Sequence, residues 1–238
     1  MEVLKKNMGK LLIALAVAAL AFCLVGCSGS GSGQAEQKKS SEPSALEIVN
    51  SGYTFDNSLA DGAFTYGVLV RNSNEDYAAQ YQSVKITGRD KDGNVVGTFE
   101  DFLPVIFANG ENAIGGSGMI EGAETLEFEI ESGTNSWAKE DIQQSEVDDT
   151  WHAVDVSNRT SYGTTTIAGE IESASDKTLA SSRINVLLFD KDGAIVGGGY
   201  TYATTVSSNS KTSFSVDIYN APKFSDVKVF FDPGDVKE

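Results

Sequence analysis

The sequence has very few of the residues on which much enzyme and metal chemistry depends. Its 238 residues include two cysteines, Cys23 and Cys27, and one histidine, His152. Both cysteines lie close to the N-terminus, so the rest of the chain has no thiol for a disulfide, a nucleophile or a metal site. A single histidine without a partner motif cannot form a zinc-binding pair and argues against a serine–histidine triad. We therefore predict a protein that is not an enzyme and that uses no metal or cofactor.

Basic residues are also scarce. Lysine and arginine number 18 against 34 aspartates and glutamates, which gives a formal net charge of -16 that is spread along the chain. Binding to a phosphate backbone needs clustered basic side chains, so we expect no nucleic-acid partner. The acidic excess favours either a solvated surface beside an anionic envelope or partners that carry positive charge.

The N-terminal segment has the pattern of a secretion signal. Three lysines, Lys5, Lys6 and Lys10, precede an apolar run over residues 11–25, LLIALAVAALAFCLV. This run is shorter than the roughly 20 apolar residues that a membrane-spanning helix needs, and it fits the hydrophobic region of a signal peptide. We predict a signal peptide over residues 1–26.

The apolar run ends in a motif that resembles the bacterial lipobox. Leu24-Val25-Gly26-Cys27 has an aliphatic residue at the first position, a small residue at the third and then cysteine. The resemblance implies that a diacylglyceryl group is attached to the Cys27 thiol and that cleavage occurs between Gly26 and Cys27. An uncleaved anchor helix with a coincidental cysteine is the alternative. We expect a protein held by lipid at Cys27 on the extracytoplasmic face of the cell membrane. The following SGSGSG stretch predicts a flexible tether over residues 27–44.

Beyond the tether, the chain contains an internal repeat. Asp90-Lys91-Asp92-Gly93 recurs as Asp190-Lys191-Asp192-Gly193, 100 residues later. A period of this length matches a domain and is too long for a solenoid repeat. We predict two homologous domains over residues 45–133 and 150–238, joined by a polar linker over residues 134–149.

Both repeats have the two-residue periodicity of β-strands. Apolar residues alternate along the chain in both halves: Phe64, Tyr66, Val68 and Val70 in the first, and Ile184, Val186 and Leu188 in the second. Segments of strand length separated by turn residues predict an all-β fold, with two tandem immunoglobulin-like β-sandwiches of about seven strands each. In the linker, residues 136–140 are expected to start a short helix.

The second repeat is similar to a known family at one motif. Leu188-Phe189-Asp190 is followed by an Asp-Gly turn and by Val196-Gly197, and the turn before it reads Ser175-Asp176-Lys177. These residues resemble the FxLYD domain family, with Val186 at the position of the Phe in its name. The first repeat matches this pattern weakly. The resemblance implies a small bacterial β-sandwich module of exported lipoproteins, and the family supplies no catalytic residues to transfer.

The repeated Asp-Lys-Asp-Gly motif has two interpretations. An EF-hand calcium loop needs glycine at its sixth position and glutamate at its twelfth. Here the glycine is fourth, and strand-like residues follow it. A hairpin turn, in which glycine adopts a positive φ angle, is therefore the preferred interpretation over a calcium site.

Other candidate sites have simple structural interpretations. Glu127, Glu129 and Glu131 alternate along one strand, as on a solvent-facing sheet surface, which argues against a glycosidase pair. Aromatic residues on strands are expected mainly in the core, with stacking on a sugar or peptide as the alternative. Trp137, in the linker, is the aromatic that we expect to be exposed. The sequence assigns no ligand-contact residue.

Three functions remain open at this stage. The leading hypothesis is a membrane-anchored interaction module that binds an envelope protein, a wall polymer or an extracellular ligand without performing chemistry. The alternatives are a passive structural spacer and a hydrolase with an unrecognised carboxylate site. The first two differ in whether a contiguous exposed apolar or aromatic patch exists.

Overall fold

Strands make up most of the folded chain. The computed structural model describes residues 42–133, 136–140 and 142–234. The predicted signal peptide, Gly26, Cys27 and most of the predicted tether lie outside the described residues. The chain from Ser41 onward forms one compact unit. The predicted all-β, sandwich-type fold class is confirmed.

The first half of this unit is a β-sandwich with its own core. Its strands are β1 Glu47–Phe55, β2 Ala63–Asn72, β3 Tyr77–Ala79, β4 Gln82–Arg89, β5 Val95–Phe102, β6 Gly110–Met119 and β7 Thr125–Ser132. Six of them form two antiparallel three-stranded sheets, in the orders β1-β2-β6 and β5-β4-β7. The buried side chains of Tyr66, Val68 and Ile86 lie between these sheets. Alternation along β2 predicted the inward face of this strand.

The second half repeats the topology of the first. Its strands are β9 Trp151–Ser161, β10 Thr164–Ser173, β11 Leu179–Phe189, β12 Ile195–Val206, β13 Lys211–Tyr219 and β14 Asp226–Asp232. They pair as β9-β10-β13 and β12-β11-β14, so each strand takes the place of its counterpart in the first half. Ile167, Val186 and Val216 belong to the core between these sheets. The internal repeat in the sequence is thus also a repeat in strand order.

The segment between the halves is structured differently from our expectation. Trp137–Lys139 forms strand β8, which pairs antiparallel with β3, and the helix α1 begins later, at Gln144–Thr150. The predicted helix start at residues 136–140 is wrong because backbone pairing with β3 overrides the local helical preference. Trp137 is partly buried against the first core, so the prediction that it is exposed is also wrong.

The two halves pack face to face through a third, smaller core. The buried residues of this core come from both halves: Leu69, Ala113, Leu187, Phe189 and Ile195. They lie on the faces of β1-β2-β6 and β12-β11-β14 that point away from each sandwich's own core. The four sheets therefore stack in the order β5-β4-β7, β1-β2-β6, β12-β11-β14 and β9-β10-β13. Central strands β2 and β11 are buried on both faces.

Glycines allow the two middle sheets to approach closely. A Cβ atom added to Gly115 would lie 2.5 Å from the carbonyl oxygen of Val186 and 2.8 Å from the amide nitrogen of Gly199. A Cβ atom on Gly67 would lie 2.6 Å from the Leu187 side chain. Backbone atoms cannot move aside as flexible side chains can, so Gly115 is required by packing.

The repeated Asp-Lys-Asp-Gly motif forms a hairpin turn in both halves, as predicted. Gly93 and Gly193 have φ angles of 84° and 83°. In each turn the first aspartate's carboxylate accepts hydrogen bonds from the backbone of the third and fifth residues, at 2.9 Å in every case. The turn carboxylate thus binds its own backbone, which is the expected role of aspartate in a turn.

Candidate functional site

The two halves meet along a polar line that runs beside the third core. Thr65 Oγ1 on β2 accepts from the amide of Gly198 at 3.2 Å and donates to its carbonyl oxygen at 2.9 Å. Thr54 Oγ1 donates to the carbonyl oxygen of Val196 at 2.7 Å. These bonds fix β12 of the second half against β1 and β2 of the first half. We call this line the seam.

At one end of the seam the surface opens into a groove of about 240 Å³. Its floor is backbone, formed by Gly116 and Gly118 on β6 and by Gly198 and Gly199 on β12. Phe64 lies beneath Gly118, because a Cβ atom there would be 2.6 Å from the phenyl ring. A Cβ atom on Gly199 would likewise lie 2.8 Å from the Val216 side chain, so packing disfavours a side chain at both positions of this glycine floor.

Exposed apolar side chains form the walls of this groove. Tyr200 on β12, Tyr219 at the end of β13 and Leu59 in the β1–β2 turn all line it, with 47 %, 67 % and 60 % of their surfaces exposed. Tyr202 extends the same wall, since its ring centroid lies 5.7 Å from that of Tyr200. We call the glycine floor, these walls and the carboxylates of Asp56 and Asp217 the seam groove.

The charge of the seam groove is negative. Asp56 and Asp217 line it, and none of the described residues in its lining is lysine, arginine or histidine. Hydrogen bonds from Ser58 and from Asn220 lower the pKa of Asp56 below its usual value, so this carboxyl group is ionised at neutral pH. Asp217 is exposed and accepts a hydrogen bond from Thr166 at 2.6 Å. Asn220 donates to Asp56 at 2.8 Å, which ties the two sides of the groove together.

A buried ion pair across the seam supports the tyrosine wall. Arg183 on β11 donates from Nη1 and Nη2 to the two carboxylate oxygens of Asp101 at 3.0 and 2.8 Å. The side chains of Arg183 and Asp101 are only 9 % and 16 % exposed. The guanidinium carbon of Arg183 lies 4.2 Å from the ring centroid of Tyr200. A residue of the first half thus positions a groove tyrosine of the second half through Arg183.

Tyr66 completes this buried network. Its hydroxyl donates to Asp101 at 2.7 Å. Burial, together with the negative charge of Asp101, raises the pKa of Tyr66 far above its usual value, so the hydroxyl keeps its proton and remains a donor. Burial alone would lower the pKa of Arg183, but the hydrogen bonds and charge of Asp101 outweigh it and raise that pKa. Tyr66 and Arg183 therefore both keep their protons across the neutral range.

The seam groove lies far from the point where the chain enters the fold. The backbone amide of Ser44 donates to Asn74 at 2.8 Å, and Asn74 donates back to Ser44 at 2.9 Å. Strand β1 begins three residues later and ends beside the groove residue Asp56. Its nine residues span roughly 25–30 Å. The groove is therefore at the opposite end of β1 from the point where the chain enters the fold.

A larger cleft of about 840 Å³ lies at the other end of the molecule, beside α1, β9 and β14. Arg71 and Glu111 line it and pair with each other at 2.6 Å. Gln144 donates to Asp148 at 3.0 Å on its other side. His152 is exposed at its rim. None of the described residues that line this cleft is an exposed tyrosine or tryptophan, whereas Tyr200 and Tyr219 line the seam groove, so we take the seam groove as the better candidate site.

The remaining sequence candidates lie away from the seam groove. Glu129 and Glu131 are exposed on β7 and pair with Lys85 at 3.3 and 2.7 Å, which confirms that this face is a solvent surface. Cys27 and Gly26 lie outside the described residues. No groove residue was assigned a ligand role from the sequence. The groove combines four segments that are far apart in the chain, and the exposed, alternating Tyr200 and Tyr202 are its clearest sequence signal.

Two kinds of feature are absent from the described part of the chain. Within the described ranges there is no group of three or more His, Cys, Asp or Glu residues that could hold a metal ion. No helix in that same part of the chain is long and apolar enough to cross a membrane.

Comparison with known proteins adds little. No protein-family model matches the chain, and no curated protein matches it. One similar solved structure is Bacteroides uniformis beta-glucuronidase 2 covalently bound to cyclophellitol-6-carboxylate aziridine, with 11 % identity and a TM-score of 0.24, covering 76 % of this chain and 29 % of that one. Another is the N-terminal CBM22-1-CBM22-2 tandem domain of Paenibacillus barcinonensis Xyn10C, with 11 % identity and a TM-score of 0.16, covering 81 % and 91 %. The chain spans less than a third of the first structure's length, and neither TM-score supports a conclusion.

Proposed function

We propose that this protein is a lipid-anchored module on the extracytoplasmic face of the cell membrane, where it binds a partner through the seam groove and performs no chemistry. The observation that carries the proposal is the groove itself. Exposed tyrosines line it beside glycines at which packing disfavours a side chain. Aromatic side chains that are exposed around a concavity are typical of binding surfaces.

The position of the groove supports this arrangement. The chain enters the fold at Ser44, and the proposed lipid site, Cys27, precedes that point in the sequence. The groove lies at the far end of β1, so an anchor at Cys27 leaves it accessible from the side remote from the membrane. The resemblance of the second repeat to FxLYD domains agrees with an exported lipoprotein, and membership of that family is part of the proposal.

The anchor is tested by replacing the cysteine. Cys27→Ala should abolish incorporation of a clickable fatty acid and leave the protein either unprocessed, with its signal attached, or released in soluble form. The matched control is Cys23→Ala, which removes the only other thiol and should be labelled like the wild type. Equal labelling of Cys27→Ala and wild type would refute lipid attachment at this residue.

The groove is tested by binding of residues 41–238, which contain every described strand and all three cores. We expect this protein to sediment with isolated cell envelopes and Tyr219→Ala to reduce the bound fraction at least about threefold. Tyr81→Ala is the control, because Tyr81 is equally exposed but does not line the groove. If wild type and Tyr219→Ala sediment equally, the groove is not the binding surface. If nothing sediments, the passive-spacer alternative is favoured.

A further inference from the structure

The seam groove has a combination of groups that selects for positive charge. Its lining carries two carboxylates, Asp56 and Asp217, and the described residues in that lining include no basic side chain. A groove with one sign of charge attracts ligands of the other sign and repels its own. Acidic polymers are therefore unfavourable ligands.

The tyrosine walls add a second attraction for the same kind of ligand. Tyr200 and Tyr219 lie on neighbouring strands and both line the groove. The face of a tyrosine ring attracts a cation that lies within about 6 Å of its centroid. The structure already contains one such contact, because Arg183 stacks on Tyr200 at 4.2 Å. Asp101 neutralises that arginine, so the pair leaves the negative charge of the groove unchanged.

The size of the groove limits what can enter it. Its volume of about 240 Å³ and its backbone floor leave room for a side chain and a short extended segment rather than for a folded surface. The long aliphatic stem of lysine or arginine can cover apolar walls such as Leu59 while its charged end reaches a carboxylate. Side-chain length, apolar stem and positive charge all fit the groove.

We propose that the seam groove binds the cationic side chain of a lysine or arginine in an extended peptide segment of a partner. This inference rests on the proposed function, because it names the ligand class of the same site. Asp217 and Asp56 pair with the cationic end, and Tyr219 and Tyr200 hold the stem and the charge between them. The acidic balance of the whole chain increases the rate at which such a partner arrives.

The test uses residues 41–238 and an end-blocked peptide of one lysine flanked by glycines, with NMR titration as the measurement. We expect backbone signals of Gly118, Gly198 and Tyr219 to shift, and the affinity to fall as salt is raised. Tyr219→Ala and Asp217→Asn should each weaken binding roughly two- to fivefold, as expected for loss of one cation–π or charge contact. Asp192→Asn is the matched control, because Asp192 is an exposed carboxylate in a turn beside Asn50 and does not line the groove.

Two further probes separate failure of this inference from failure of the proposed function. An Nε-acetylated version of the peptide should bind at least about fivefold more weakly, and equal binding would overturn the requirement for a cation. A neutral trisaccharide is the second probe. If it shifts the groove signals in a Tyr219-dependent way while the lysine peptide does not, the groove is a binding site but the ligand class is wrong. If neither probe shifts these signals, the groove is not a binding site, and both the proposed function and this inference are refuted.

Discussion

The equivalent strands β4 and β11 carry opposite chemistry on the face that points away from their own core. On β4 this face presents Lys85 and Thr87, and Lys85 pairs with exposed glutamates on β7. One hundred residues later the same positions are Asn185 and Leu187, and both side chains are fully buried. The inward faces of the two strands are alike, since both are aliphatic and buried. The two repeats therefore have different side chains on the outward faces of these strands. On the faces that form their own cores, their side chains are similar.

This difference explains why each half packs against the other through only one of its two outward faces. The contact joins β1-β2-β6 of the first half to β12-β11-β14 of the second, and these sheets occupy different places in the repeat. Such head-to-tail packing could continue indefinitely if the outer faces were also apolar. They are polar instead: β7 carries exposed glutamates, and on β10 Glu170 and Glu172 lie close to Lys211. The charged side chains on these outer faces therefore disfavour further packing of this kind.

We expect the largest effect from breaking the buried ion pair between Arg183 of the second half and Asp101 of the first half. Asp101→Asn should lower the free energy of unfolding by about 3–5 kcal/mol, because it leaves a buried guanidinium without its counter-charge. Urea unfolding of residues 41–238 measures this. The control is Glu131→Gln on the free β7 face, which should cost less than about 1 kcal/mol. If Asp101→Asn has the same free energy of unfolding as the wild type, the ion pair contributes little to holding the halves together.

The double variant Asp101→Leu with Arg183→Met sharpens this comparison. Replacing both partners with apolar residues removes the uncompensated charge, so part of the lost stability should return; the buried hydroxyl of Tyr66 loses its acceptor, which limits the recovery. Arg183→Met alone should also release the ring of Tyr200 and weaken groove binding. If the double variant is as unstable as Asp101→Asn alone, the loss does not arise from the unpaired charge but from altered packing and from the unpaired Tyr66 hydroxyl.

A reciprocal pair of substitutions tests the comparison at the aligned positions 87 and 187. Leu187→Thr should cost about 2–4 kcal/mol, because it removes buried apolar volume and places a hydroxyl in the third core. Thr87→Leu, at the partly exposed counterpart, should change stability by less than about 0.5 kcal/mol. The denaturant midpoints of the two variants, each compared with that of the wild type, measure the two changes in stability. Equal effects at both positions would contradict the assignment of distinct roles to these faces.

The sequence predicted the features that depend on local patterns and missed those that depend on contact between the halves. Alternation identified the inward faces of β2 and β11, and the Asp-Gly signature identified both hairpin turns. The burial of Leu69 and Leu187 was not predicted, because alternation identified only one buried face of each strand. An available signal was the uninterrupted apolar run Val186-Leu187-Leu188-Phe189, which is typical of a strand that is buried on both faces. The groove could not be predicted because it exists only once the halves are stacked.

Whether each half folds alone stays a prediction. Each has its own core, but Ala78 and Phe107 of the first half contribute to the core of the second. A cut between residues 140 and 142 keeps β8 with the first half and α1 with the second. We expect both fragments to show β-type circular dichroism with lower melting temperatures than the intact unit, because each exposes part of the third core. A fragment that is unfolded on its own would show that the stacked interface is obligatory.

The hairpin turns should respond alike in the two halves, since their geometry is the same. Gly93→Val and Gly193→Val should each cost about 1–3 kcal/mol, because a β-branched residue is strained at a positive φ angle. Asp192→Asn should cost less than Gly193→Val. Thermal melts with calcium and with chelator should overlay, because the turn carboxylates already bind their own backbone. A calcium-dependent rise of several degrees that Asp192→Asn abolishes would contradict this interpretation and indicate a calcium site.

The smallest expected effect is a gain in stability, whereas the substitutions above are expected to lower it. Asn185 is fully buried between the halves, and neither its Oδ1 nor its Nδ2 has a hydrogen-bond partner among the described residues. A buried amide without partners loses its hydration and gains nothing in return. Asn185→Leu, of similar size, should therefore raise the free energy of unfolding by about 1 kcal/mol. The aligned change on the free face, Lys85→Leu, should give no such gain, because Lys85 is partly exposed and paired with two glutamates. A lower melting temperature for Asn185→Leu would show that the amide stabilises the stacked arrangement, and that the second half's outward face is specified by polarity as well as by apolar packing.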